Sequence, residues 1–135
     1  MSHDPVKVQD TTSWFLKAKS DITAAECLIE SKSLLSEQAA FQCQQATEKA
    51  IKGFLFWHGK SIVKTHDLKN LCKECIAIDA QLEPLLKQTT VLTQFAVDYR
   101  YPGQLPRPTE AEVRGYIKLS SDVVEALLSR LPFSI

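Results

Sequence analysis

A chain of 135 residues is normally one domain and is long enough to bury a real core. Apolar residues at 44% and charged residues at 24% are the values of a soluble globular protein. Sixteen Lys and Arg balance sixteen Asp and Glu, so no global field draws in nucleic acid or membrane, and any anion site has to be local.

Residues 1 to about 11 are polar and aperiodic and read as a loose terminus. A first helix is expected from about Ser13 to Lys32, with Phe15, Ala18, Ile22, Ala25 and Ile29 on one face and Thr12 or Ser13 as its cap. The second, from about Ser36 to His58, carries a stripe of Ala39, Cys43, Ala46, Ala50, Phe54 and Trp57. Phe41, Ile51, Leu55 and Phe56 point elsewhere, which suits a central helix or a subunit interface. Gly59 is placed to end it.

The third helix opens within "KTHDLKNLC", with Thr65 as the expected N-cap and Asp67 in the first turn, and with Leu68, Leu71, Cys72 and Cys75 inward. The fourth begins near Pro84, carries Leu85, Leu92, Phe95, Ala96 and Tyr99, and stops before Pro102. The fifth starts at Thr109, which with Glu112 fits a capping box. Its inner stripe runs through Val113, Tyr116, Ile117, Ser120, Val124, Leu127 and Leu131 to Pro132. Only four glycines interrupt the chain. The expectation is a single all-α domain over residues 1 to 135, ordered from about 12 to 131. It is an antiparallel up-and-down four-helix bundle with an additional short helix.

The opening "MSHDPVKVQD" lacks the basic-then-apolar pattern of a signal peptide, and no stretch approaches the ~20 apolar residues that span a bilayer. Four cysteines then read as free thiols in a reducing cytoplasm. No Glu is followed three residues later by His, as di-iron bundles require. Cys72 and Cys75 read as small core residues, and no metal or cofactor is expected. Phosphate-loop and dinucleotide glycine motifs are absent. One basic run stands out: Lys49, Lys52, Lys60, Lys64 and Lys69 against Asp67, with His58 and His66 nearby. It reads either as a solvated surface or as a phosphate-binding patch. Glu48 can pair with Lys52 one turn away.

"AAFQCQQATEKAIKGFLFWHG" resembles the signature helix of the HEPN domains, "KTHDL" the start of the helix that follows it, and "YRYPG" a late tyrosine-rich segment of many members. The three occur in the family's order, and the resemblance covers about residues 12 to 131. It implies a bundle of four or five helices, a homodimer, a nucleotide or RNA ligand, and pairing with a minimal nucleotidyltransferase in toxin–antitoxin-like systems. Many relatives are metal-independent ribonucleases that use an Arg followed four to six residues later by a His. Here the histidines are His3, His58 and His66, and the arginines are Arg100, Arg107, Arg114 and Arg130. Every Arg follows every His, so that motif cannot occur, and a non-catalytic member is expected.

The expected ligand cleft is lined by Gln45, Lys49, Lys52, His66, Tyr99, Arg100 and Tyr101. Arg100 would hold phosphate through its guanidinium fork, Tyr99 or Tyr101 would stack on a base, and the lysines would supply positive potential. Gln45 would bond a ring edge. Each has a plainer reading beside it: Gln44, Gln45 and Glu48 satisfying polar groups inside the bundle, His66 capping its helix, Tyr99 as core. Two other readings stay open, a dimerisation or interaction module without a small ligand, and a ribonuclease toxin with non-standard residues.

Overall fold

An Asp-Pro step starts the first helix. In the computed structural model, which describes residues 3–31, 35–61, 67–96 and 107–135, α1 spans Pro5–Glu30. The Asp4 carboxylate accepts the Val6 amide at 2.9 Å, and Pro5 occupies the first turn, where its missing N–H costs nothing. The loose terminus expected up to residue 11 is therefore corrected: the chain is helical from Pro5, and Thr11 is already fully buried. Thr12 and Ser13 do not cap. Their hydroxyls donate back to the Val8 and Gln9 carbonyls at 2.7 and 3.1 Å, as in a helix interior.

α2 spans Ser36–Trp57 and closes as expected at Gly59, whose φ of +73° lies in the left-handed region. The Lys60 amide reaches back to the Leu55 carbonyl at 2.9 Å and the Gly59 amide to Phe56 at 3.0 Å, the paired bonds of a Schellman stop. α3 spans Leu68–Ile78 and is capped by Asp67, which accepts the Lys69 amide. Thr65, the expected cap, lies outside the described residues, as does Pro102, the expected stop of the fourth helix.

That fourth segment is mostly not α-helix. Ala80–Leu82 and Lys87–Phe95 are 3₁₀ helix, with only Glu83–Leu86, α4, between them. Nine 3₁₀ residues in a row are unusual, and side chains help to hold them. Thr89, Thr90 and Gln94 each donate to a carbonyl three residues back. α5 spans Glu110–Leu128 with the full capping box: Glu112 N donates to Thr109 Oγ1 at 3.1 Å, and Thr109 N to Glu112 Oε1 at 3.0 Å.

The result is the expected all-α bundle, and α2 is its axis, packed against α1, α3, α5 and the 3₁₀ wall. α1 and α2 are antiparallel, since Gly53 meets Trp14 and Lys49 meets Asp21. α3 and the 3₁₀ wall are antiparallel through Cys72, Leu86 and Thr89, and the wall and α5 through Phe95–Tyr116 and Asp79–Arg130. α5 runs with α2: Cys43 lies by Ser120 and Trp57 by Phe133. It follows that α2 and α3 point the same way, so strict alternation breaks at that one junction. Its connection, residues 58–67, is long enough to allow this. At one end of the bundle Trp57 takes His3 and Phe133 edge-on, at 5.0 and 4.9 Å, and Lys7 Nζ over its ring at 4.5 Å.

The closest approach of α1 and α2 is at Gly53. A Cβ there would sit 2.7 Å from Trp14 Cβ and 3.1 Å from the Phe15 ring. Trp14 Cβ is fixed to the backbone of its helix and cannot swing aside. Gly53→Ala should therefore destabilise by about 1–3 kcal/mol, overriding the ~1 kcal/mol that Ala gains over Gly in a helix. Urea unfolding of the variant checks this, and a stabilised variant would show that α1 can back away.

Candidate functional site

α2 carries two opposed faces. The stripe from Ala39 to Trp57 packs into the core. On the other side Gln44, Gln45, Glu48, Lys49 and Lys52 fall within a sector of about 140° at 100° per residue. That polar strip is largely buried: Gln44 is fully so, Glu48 is 5% exposed and Lys52 is 8% exposed.

Its members satisfy one another. Gln45 Nε2 donates to Gln44 Oε1 at 2.7 Å, and Gln44 Nε2 to Glu48 Oε1 at 3.0 Å. Lys52 Nζ donates to Glu48 Oε2 at 3.2 Å. The ladder uses the Gln44–Glu48–Lys52 spacing of four, one helical turn per step. Burying two opposite charges costs several kcal/mol in desolvation, and their attraction only roughly repays it. Losing one partner is far worse, because the other charge stays buried.

Of the seven expected site residues, Gln45, Lys49 and Lys52 share this strip, while His66, Tyr99, Arg100 and Tyr101 lie outside the described residues. Lys49 is bound to Asp21 of α1 at 2.6 Å, and both side chains are mostly buried. Two lysines of the basic run are thus each held by a carboxylate, whereas Lys60 and Lys69 are exposed. Gln45 is half-buried, and its carbonyl oxygen accepts no hydrogen bond among the described residues. It is the member of the ladder best able to bond something else. Gln44 and Glu48, which orient the strip, were expected only as polar groups satisfied inside the bundle, with Glu48 on Lys52, and that plainer reading is what the structure shows. The sequence carries no signal for Asp21.

The nearby thiols are unsuited to nucleophilic chemistry. Burial pushes the Cys43 thiol up to about 12 and also raises Cys72 and Cys75, so all three stay protonated. At the end of α2, His58 shares a cleft of about 270 Å³ with Phe54, Ile78, Asp79 and Arg130. Partial burial, then the charges of Lys7 and Lys60, lower its proton affinity. Arg130 Nε donates to Asp79 at 2.6 Å and holds that carboxyl below the usual range.

A family model described as HEPN domain matches residues 11–131. No curated protein and no solved structure matches the chain.

Two outcomes follow from this geometry. Glu48→Ala, which strands the Lys52 ammonium, should cost about 3–5 kcal/mol in urea unfolding, whereas a Glu48→Met, Lys52→Met double variant should be much closer to wild type. For His58 the folded proton affinity lies below the unfolded one, so its contribution is present above the ordinary value of about 6.5 and is lost as pH falls below it. Between pH 7.5 and 5 the melting temperature of wild type should fall slightly more than that of His58→Gln, and a parallel fall would show that His58 is not linked to folding.

Proposed function

This chain belongs to the HEPN domain family, and on that premise we propose that it is a non-catalytic member that binds a nucleotide or an RNA end. The observation that carries the reading is the buried Gln45–Gln44–Glu48–Lys52 ladder on α2. A bundle core needs no such ladder, since apolar residues of the same volume pack there at no desolvation cost. A ladder that fixes Gln45 at its accessible end, with a carbonyl oxygen that accepts no hydrogen bond among the described residues, suits recognition of a base edge. Lys49 lies one turn on and would bind phosphate by exchanging Asp21 for it. Lys52, His66, Tyr99, Arg100 and Tyr101 complete the proposed site, with Arg100 on phosphate and a tyrosine on the base. The order of His and Arg along the chain supports the lack of ribonuclease chemistry, because no Arg precedes a His.

In this reading the protein is also a homodimer in the cytoplasm and the companion subunit of a minimal nucleotidyltransferase in a toxin–antitoxin-like pair. Calorimetry with ATP, GTP and short RNA tests the ligand. Wild type should bind at least one of them, and an Arg100→Ala, Lys49→Ala double variant should bind at least about tenfold more weakly. Equal binding by the two would sink the site. Purified protein should leave RNA intact, and Arg100-dependent cleavage would instead revive a ribonuclease with non-standard residues.

A second reading, an interaction module without a small ligand, is favoured by one observation. α1 leaves Val6 62% and Leu16 54% exposed, beside a cleft of about 360 Å³ lined by Trp14 and Phe56. Light scattering tests it: a strict monomer would count against both the homodimer and this module.

A further inference from the structure

A second groove lies away from the polar strip of α2, between α3 and the wall formed by α4 and the 3₁₀ helix. It encloses about 560 Å³, within the range of small-ligand pockets. Its two sides are built on the same repeat. From α3 come Lys69, Cys72, Lys73 and Ile76, and from the facing wall Glu83, Leu86, Lys87 and Thr90. Both sets fall at positions i, i+3, i+4 and i+7, so each is one continuous helix face.

The floor and the rim differ in kind. Cys72 and Leu86 are buried, and they join the two walls: Cys72 Sγ lies 3.6 Å from the Leu86 carbonyl oxygen and 3.3 Å from Thr89 Oγ1. Ile76 is half-buried along one side. Lys69 and Lys73 are exposed at the rim and form no ion pair among the described residues. Lys87, on the opposite side, is neutralised by Glu83 at 2.9 Å. Three lysines thus face one carboxylate, with the excess positive charge on the α3 side.

We propose that this groove binds a small anionic amphiphile, with its apolar body along Ile76, Leu86 and Cys72 and its acid group between Lys69 and Lys73. Both features are needed: an apolar floor alone would take any hydrophobic solute, and two rim lysines alone would bind only a diffuse anion. The length of the groove limits the occupant. From Lys69 to Ile76 it runs two turns, about 10 Å, which fits a fused aromatic ring or a short acyl chain and is too short to seat a partner helix. The proposal does not depend on the nucleotide reading of the α2 strip.

Anilinonaphthalene sulfonate, an aromatic body with one fixed negative charge, is a suitable probe, and N-phenylnaphthylamine is its neutral counterpart. In fluorescence titrations of the folded protein the sulfonate should bind at one site. A Lys69→Ala, Lys73→Ala variant should weaken it about tenfold, the order expected for removing two charges near an anion at a water-accessible rim. The neutral probe should bind less tightly and respond little to that variant. Ile76→Glu, which puts a carboxylate on the apolar side, should abolish sulfonate binding while circular dichroism and the melting curve remain those of a folded bundle. Sulfonate binding unchanged in both variants, or equal affinity for the two probes, would overturn the proposal. So would binding to anionic phospholipid vesicles without binding of the soluble probe.

Discussion

The Glu48 carboxylate is the group around which the centre of the bundle is organised. One oxygen takes the Gln44 amide and the other takes the Lys52 ammonium. Both partners lie on the same helix, so their positions are fixed by helical spacing before any tertiary contact forms. α2 can therefore enter the middle of the bundle with Gln44, Glu48 and Lys52 already paired. Its neighbours then supply mainly apolar surface, through Phe15, Leu92, Val113 and Leu127, and one carboxylate, Asp21 of α1, for Lys49.

That arrangement leaves the polar strip with a graded exposure. Gln44 is sealed, Glu48 and Lys52 are nearly so, and Gln45 and Lys49 reach the margin. A ligand at such a margin meets side chains whose rotamers are set from behind, and pre-setting of this kind lowers the entropy lost on binding. The cost falls on Lys49, whose charge is spent on Asp21 unless a stronger anion replaces it. Recognition here would therefore be an exchange of partners, sensitive to ionic strength.

Much of the fold could be read from short-range signals, and the exceptions share a cause. The α5 start was legible because a capping box is local to four residues, and the buried faces of α1 and α2 because apolar spacing is periodic. Asp4–Pro5 is just as local, but residues 5 to 11 carry too few apolar side chains for periodicity to mark a helix behind that cap. The 3₁₀ character of Lys87–Phe95 was not legible, since the same residues suit an α-helix and tertiary packing decides the pitch. At the site, the Gln44–Glu48–Lys52 ladder follows from spacing alone. Lys49–Asp21 and Asp79–Arg130 join residues 28 and 51 apart, and only the packing of separate helices brings such pairs together. The expected homodimer, nucleotidyltransferase partner and ligand depend on molecules beyond this chain, which its internal spacing does not encode.

The 3₁₀ wall also acts as a ruler. At a rise of about 2.0 Å per residue, nine residues reach about 18 Å, whereas the same nine in an α-helix would reach only about 13.5 Å. The stretched pitch lets a short segment run the length of α3 and carry Phe95 onto Tyr116, nearly two turns into α5. Rewinding it to α-helix would draw Ala96 back by about 4.5 Å. The chain that continues from Ala96 holds Tyr99, Arg100 and Tyr101, so the winding of this wall sets the point from which they depart. Three hydrogen bonds from Thr89, Thr90 and Gln94 hold that winding, so three polar side chains of the wall fix where Ala96 stands at its end.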